Sequence, residues 1–152
     1  MLRLNLPKYD FKLKNEGEVL YIYDDLRCKY LLLTPEEWVR QHFVNFLRYQ
    51  KGVPQTLMKQ EAILSYNQMK KRADILVYGR NGRPLLLIEC KAGTESVDED
   101  VFFQVITYNA SLQVPMMGVT NGLEHYFACR NTKGNYEKLT SFPDFEEMQS
   151  FI

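Results

Sequence analysis

The sequence has no apolar run near the roughly 18 residues a helix needs to cross a bilayer, and its longest clusters, residues 31–33 and 85–88, are strand-sized. The opening residues lack the apolar stretch of a signal peptide, so the expectation is a cytoplasmic protein without membrane association. Cysteine is scarce. Cys28, Cys90 and Cys129 are odd in number, far apart and without CxxC spacing, which argues against a disulfide framework or a zinc ribbon. The two histidines, His42 and His125, are isolated and cannot build a His-rich metal site. Neither sign of charge is in excess, with 19 Lys and Arg against 19 Asp and Glu. Proteins that hold nucleic acid by charge alone are usually basic. Tight autonomous DNA binding is therefore disfavoured, whereas transient engagement, or docking by a partner, is not.

What is present suits a globular α/β protein. The 152 residues are 45% hydrophobic and 13% aromatic, enough to bury a core within one domain spanning 1–152. No repeat or low-complexity tract interrupts them. Residues 19–23 and 29–33 are rich in β-formers around a short polar loop and predict a hairpin. Thr34-Pro35-Glu36-Glu37 opens a helix to about Tyr49, with Thr34 as N-cap, Pro35 at the first helical position and Glu37 at the capping-box position. Residues 61–66, 73–79 and 84–90 predict three strands, the last two joined through Asn81-Gly82, a strong hairpin signal. Ser96-Val97-Asp98-Glu99 resembles a capping box before a helix to about Leu112. Residues 115–120 and 123–129 flank Asn121-Gly122, and a short helix follows Pro143. This order predicts a mixed central β-sheet flanked by helices, with a helical crossover after Lys91.

The hairpin around Asn81-Gly82 carries the chemistry. A two-residue loop there pairs Arg80 with Arg83 and, counting outward, sets Asp74 opposite Glu89 and Arg72 opposite Lys91. Lys91 lies two residues beyond Glu89 and so shares its face, while Cys90 points the other way. Two facing carboxylates repel and destabilise a sheet unless something offsets them. A bound Mg²⁺ would, since it accepts one or two carboxylates together with waters and phosphate oxygens. A nearby lysine could then orient or deprotonate a water, or steady charge on a phosphate. Strand ends also carry charges simply because they emerge into solvent, so the constellation alone leaves both readings open.

Asp74 followed by Glu89-Cys90-Lys91 resembles the PD-(D/E)xK nuclease superfamily, whose restriction-endonuclease-like fold matches the predicted sheet. Residues 34–41 (TPEEWVRQ), Lys71 to Asp74, residues 85–92 (LLLIECKA), Gln104 to Tyr108 as a QxxxY motif, and Thr120-Asn121-Gly122 follow in order. Together, over about residues 18–130, they resemble the N-terminal domain of type I restriction enzyme R subunits. The resemblance implies a Mg²⁺-dependent DNA endonuclease related to restriction–modification, with Mn²⁺ able to substitute. Asp74 and Glu89 would be metal ligands with the Cys90 carbonyl, and Lys91 the catalytic lysine. Glu37 would complete the metal site, although Glu36 or Glu61 could do so instead, and Glu37 could equally be only a cap residue. Gln104 and Tyr108, at i and i+4 on one helix face, would position the catalytic groups or contact DNA. Ala73 stands where the superfamily's name has proline, a common variation. No helicase motor follows in this sequence, so translocation would need a separate protein. The implied partners are duplex DNA, a helicase or other protein, and a second copy of the chain, since cutting two strands takes two sites.

Overall fold

Thr34 shows how closely local chemistry decides the elements: its hydroxyl accepts the Glu37 N–H at 3.0 Å, and helix α1 (Pro35–Tyr49) begins behind it. The computed structural model describes residues 1–151. Before α1, strands β1 (Leu13–Glu16), β2 (Val19–Asp24) and β3 (Lys29–Leu32) form an antiparallel sheet. The β2–β3 hairpin is the expected one. The sequence reading passes over β1, because all four of its residues are exposed and nothing alternates.

The larger sheet has six strands in chain order: β4 (Met58–Tyr66), β5 (Met69–Tyr78), β6 (Pro84–Cys90), β7 (Met116–Thr120), β8 (His125–Arg130) and β9 (Tyr136–Lys138). Neighbours are antiparallel except β6 and β7, which run parallel and are joined by helix α2 (Glu99–Asn109) as the expected crossover. Helix α2 starts later than Ser96 suggests: Asp98 is the N-cap, accepting the Val101 N–H at 2.9 Å. The turn at 110–112 then tightens to a 3₁₀ helix. Short β9 also goes unanticipated, its residues YEK carrying little β signal. Helix α3 (Phe145–Gln149) follows Pro143 as expected. The result is a mixed α/β fold with helices on both faces of a central sheet.

Each face buries its own apolar layer. Phe43 and Leu47 of α1 and Phe145 of α3 pack on Ile75, Val77, Leu86 and Ile88. On the other side Phe102 and Ile106 of α2 pack on Leu76, Leu87, Met117 and Val119. Strand β6 is therefore buried on both faces, as its unbroken apolar run requires.

The β5–β6 register is the expected one, reached by an unexpected route. Ile75 pairs with Ile88, Leu76 with Leu87 and Val77 with Leu86, as a loop centred on Asn81-Gly82 demands. The loop, however, has three residues. Gly79 N–H bonds Arg83 O at 2.8 Å, Gly82 sits at φ 79°, and Tyr78 pairs with Pro84. A bulge opposite the Val77–Tyr78 step, with Leu85 of β6 as its additional residue, then restores the register.

Gly118, in the middle of β7, leaves no room for a side chain: a Cβ there would lie 2.4 Å from Phe127 Cδ1 and 2.8 Å from Ile88 Cδ1. Gly118→Ala should destabilise the fold by about 1–3 kcal/mol through overpacking, read as a lower urea midpoint with an unchanged slope. An unchanged midpoint would mean that this layer is looser than described.

Candidate active site

The β5–β6 ladder stops at Ile75 and Ile88, one pair short of Asp74 and Glu89. Lys91 N–H bonds Thr120 O on β7, so by alternation the Cys90 N–H points back toward β5. The Asp74 side chain meets it there, Oδ2 accepting the Cys90 N–H at 2.7 Å. Asp74 and Glu89 are thus brought together as the register implies. Their contact is a side-chain cap on the β6 backbone, and neither this pair nor Arg72 with Lys91 continues the ladder.

A distortion on β4 matches this break. Glu61, opposite Asp74, adopts φ 53° and drops out between the Gln60–Ile75 and Ala62–Ala73 pairs. The faces exchange at this point. Ile75 and Val77 pack on the α1 side, whereas Ala73 packs on the α2 side; Met58 and Ala62 divide in the same way. Non-glycine residues rarely take positive φ, and such strain gathers at functional sites.

Four acids converge here. Burial, then repulsion from Asp74, pushes the Glu89 carboxyl up to about 7, with Lys91 pulling it back. Lys91 Nζ lies 3.9 Å from Glu89 Oε1, both side chains being 28% exposed. Burial also raises Asp74, partly offset by the Cys90 N–H and Arg40, and raises Glu36, which feels Asp74, Arg40, Lys91 and Glu61. Glu37 is differently placed. Its oxygens are taken by Arg40 Nε at 2.5 Å and Arg27 Nη2 at 3.0 Å, so of the two helix-borne acids Glu36 is the one that faces the cluster. Arg40, 8% exposed, also pairs with Glu61 and comes within 3.7 Å of Asp74 Oδ1. Arg27 continues the network to buried Asp24 at 2.6 Å and to Gln60 at 3.0 Å.

Gln104 and Tyr108 reach the same place. Helix α2 forms one wall of a cleft lined by Arg72, Glu89, Lys91, Gln104 and Tyr108. Cys90 is buried, and burial pushes its thiol well up, leaving its main chain as the part available for chemistry. The sequence reading missed Arg40 and Arg72. The available signal was an arginine on the apolar face of α1, among Val39, Phe43 and Val44 and three residues after Glu37.

The donors suit a hard divalent cation. Glu89 accepts no hydrogen bond, and Asp74 has one oxygen outside its main-chain bond. Among the described residues no group of three or more His, Cys, Asp or Glu is gathered to hold a metal. Two carboxylates together with waters and phosphate oxygens are a donor set that Mg²⁺ accepts.

Residues 35–143 match the family described as type I restriction enzyme R protein N terminus (HSDR_N). The fold resembles a fragment assigned to an HsdR subunit of a type I restriction enzyme from Vibrio vulnificus YJ016, with a TM-score of 0.54 and 20% identity. That match covers 78% of this chain and 25% of the fragment. No curated protein sequence matches the chain. No helix among the described residues is long and apolar enough to cross a membrane.

The raised Glu89 carboxyl has a consequence for stability. Its folded value lies above the ordinary 4.5, so the ionised form destabilises the fold, most fully above pH 7. Glu89→Gln should therefore stabilise the metal-free protein at pH 8 by about 1–2 kcal/mol, allowing for partial exposure. The gain should shrink as pH falls through 7 and vanish near the ordinary carboxyl range. Urea denaturation in EDTA at pH 8 and pH 5 measures it, and a variant weaker than wild type at pH 8 would contradict it.

Proposed function

The chain belongs to the family of type I restriction enzyme R protein N termini, and from that premise we propose that it is a metal-dependent nuclease domain that hydrolyses phosphodiester bonds in DNA. One observation carries the reading: Glu89, mostly buried and without a hydrogen-bond donor, shares a cleft with Lys91 and stands beside Asp74. A carboxylate so placed is costly unless a cation or substrate compensates it. The site also lies at the carboxyl end of a parallel strand beside its crossover helix, where open α/β sheets usually bind ligands.

In this reading Asp74 and Glu89 would hold Mg²⁺, or Mn²⁺ in its place, with the Cys90 carbonyl as a further ligand, and Glu36 rather than Glu37 would be the supporting acid. The ion supplies charge stabilisation at the phosphate and a lower pKa for its bound water. Hydrolysis adds water across one P–O bond, hydroxide going to phosphorus and a proton leaving with the departing oxygen. Lys91 Nζ, beside Glu89, would orient the attacking water and steady the charge that builds on the phosphate. Gln104 hydrogen-bonds the phosphate or water from the α2 wall, and Tyr108 borders the entrance. Arg40 fixes Glu61 and faces the second oxygen of Asp74. Cleaving both strands of a duplex would take a second copy of the chain or a partner subunit.

A second reading, a nuclease-fold module that binds without cutting, draws support from the zero net charge. Cleavage assays separate the two. With Mg²⁺ or Mn²⁺ the protein should nick or cut DNA, EDTA should stop it, and Lys91→Ala should lower the rate at least about 100-fold, the scale of losing one charge-stabilising group. Equal cleavage by Lys91→Ala would remove the proposed mechanism. Calorimetry with Mn²⁺ should show binding that Asp74→Ala weakens at least about tenfold; a silent titration with DNA present would favour the binding module.

A further inference from the structure

The mouth of the cleft carries features that hydrolysis alone does not need. Tyr108 is 63% exposed, yet its ring is covered by a cation, with Lys71 Nζ 3.9 Å from the centroid. Gln104 and Tyr108 also line a second groove that continues along α2 to Phe103, itself 52% exposed. Across the mouth, Ala62 and Leu64 place their strand face toward the α2 layer, and by alternation Tyr66 shares that face. Tyr66 pairs with Met69, and Leu64 with Lys71. Exposed rings thus lie on α2 and, on the facing side of the sheet, at the β4–β5 turn, with a lysine over the Tyr108 ring.

We propose that this mouth is a stacking site for unpaired bases, and that the chain engages single-stranded DNA in preference to duplex. Rings flanked by cations hold a strand because every base has a π-face and every linkage a charge. In a duplex those faces are already covered. The charge pattern points the same way. Arg72 and Lys91 line the sheet side beside Glu89, with Lys71 over the Tyr108 ring, whereas Glu95 and Asp100 border the helical side. One backbone can follow the basic wall, while the second strand of a duplex would meet the acids. The proposal rests on the nuclease reading for the direction of the strand, toward Glu89 and Lys91, but its test needs no cleavage.

Fluorescence anisotropy in EDTA, with a labelled 15-nucleotide oligothymidylate and a duplex of equal length, provides that test. The oligothymidylate should bind at least about tenfold more tightly than the duplex, which reverses the order expected if phosphate contacts alone governed binding. Tyr108→Ala should weaken oligothymidylate binding about 5- to 100-fold, the range for one lost base–aromatic stack, and Tyr108→Phe should stay within about twofold of wild type. Tyr108 is exposed, so the alanine variant should keep its fold, checked by its circular dichroism and melting temperature. Duplex binding as tight as single-strand binding, or an unaffected Tyr108→Ala, would overturn the proposal, as would a tenfold preference for oligouridylate. Stacking behaviour as expected, together with no cleavage in Mg²⁺ or Mn²⁺, would defeat the nuclease reading and leave this one standing.

Discussion

Where the β5–β6 ladder ends, the Cys90 N–H still needs an acceptor, and Asp74 Oδ2 supplies it. A buried amide without a partner costs on the order of 1–3 kcal/mol, so this bond is enforced by the sheet. Its effect is to fix one carboxylate oxygen by main-chain geometry and leave the other turned toward Arg40. Glu89 and Lys91 flank Cys90 in sequence and so are held on the opposite side of the same strand. A site built in this way inherits the rigidity of a strand covered on both faces and depends little on loop order.

Around that anchor runs a chain of charged groups from Asp24 through Arg27, Glu37 and Arg40 to Glu61. Buried ion pairs add little net stability, because desolvation consumes most of the attraction. What they do supply is a restricted set of arrangements. Here they join the loop of the small sheet to the start of α1 and to the kink in β4, so the three-stranded sheet helps set the geometry of a cleft to which it lends no lining residue. Removing one partner would strand the others without compensation, which makes the network a unit.

The central elements were legible because their signals are local. Thr34-Pro35 announces a helix start, Asn81-Gly82 a turn, and residues 85–90 a buried strand. The position of Asp74 relative to Glu89 was legible only in part: counting outward from the turn gives the observed register because a bulge offsets the three-residue loop, and the ladder ends one pair before them. Glu61 was harder to read. Nothing in EAILSY signals a left-handed backbone at its first residue, which lies where the pairing with β5 is interrupted and where two arginines distant in sequence hold the side chain. The choice between Glu36 and Glu37 was hidden for a similar reason. They are adjacent on α1, and only the positions of Arg27 and Arg40 decide which carboxylate is already taken. Strands β1 and β9 escaped notice because exposed edge strands need no apolar alternation.

The three-residue loop and the bulge at Leu85 in β6 cancel, so the alignment of Asp74 with Glu89 is set by two compensating irregularities. Such a pair works as slack. A one-residue deletion in the 80–82 loop can be absorbed by straightening the bulge, at the cost of local twist, without sliding one carboxylate past the other. Length variation at this tip is therefore decoupled from the geometry at the far end of the hairpin, and the tip can change, or acquire a new contact, while the spacing of the two carboxylates is preserved.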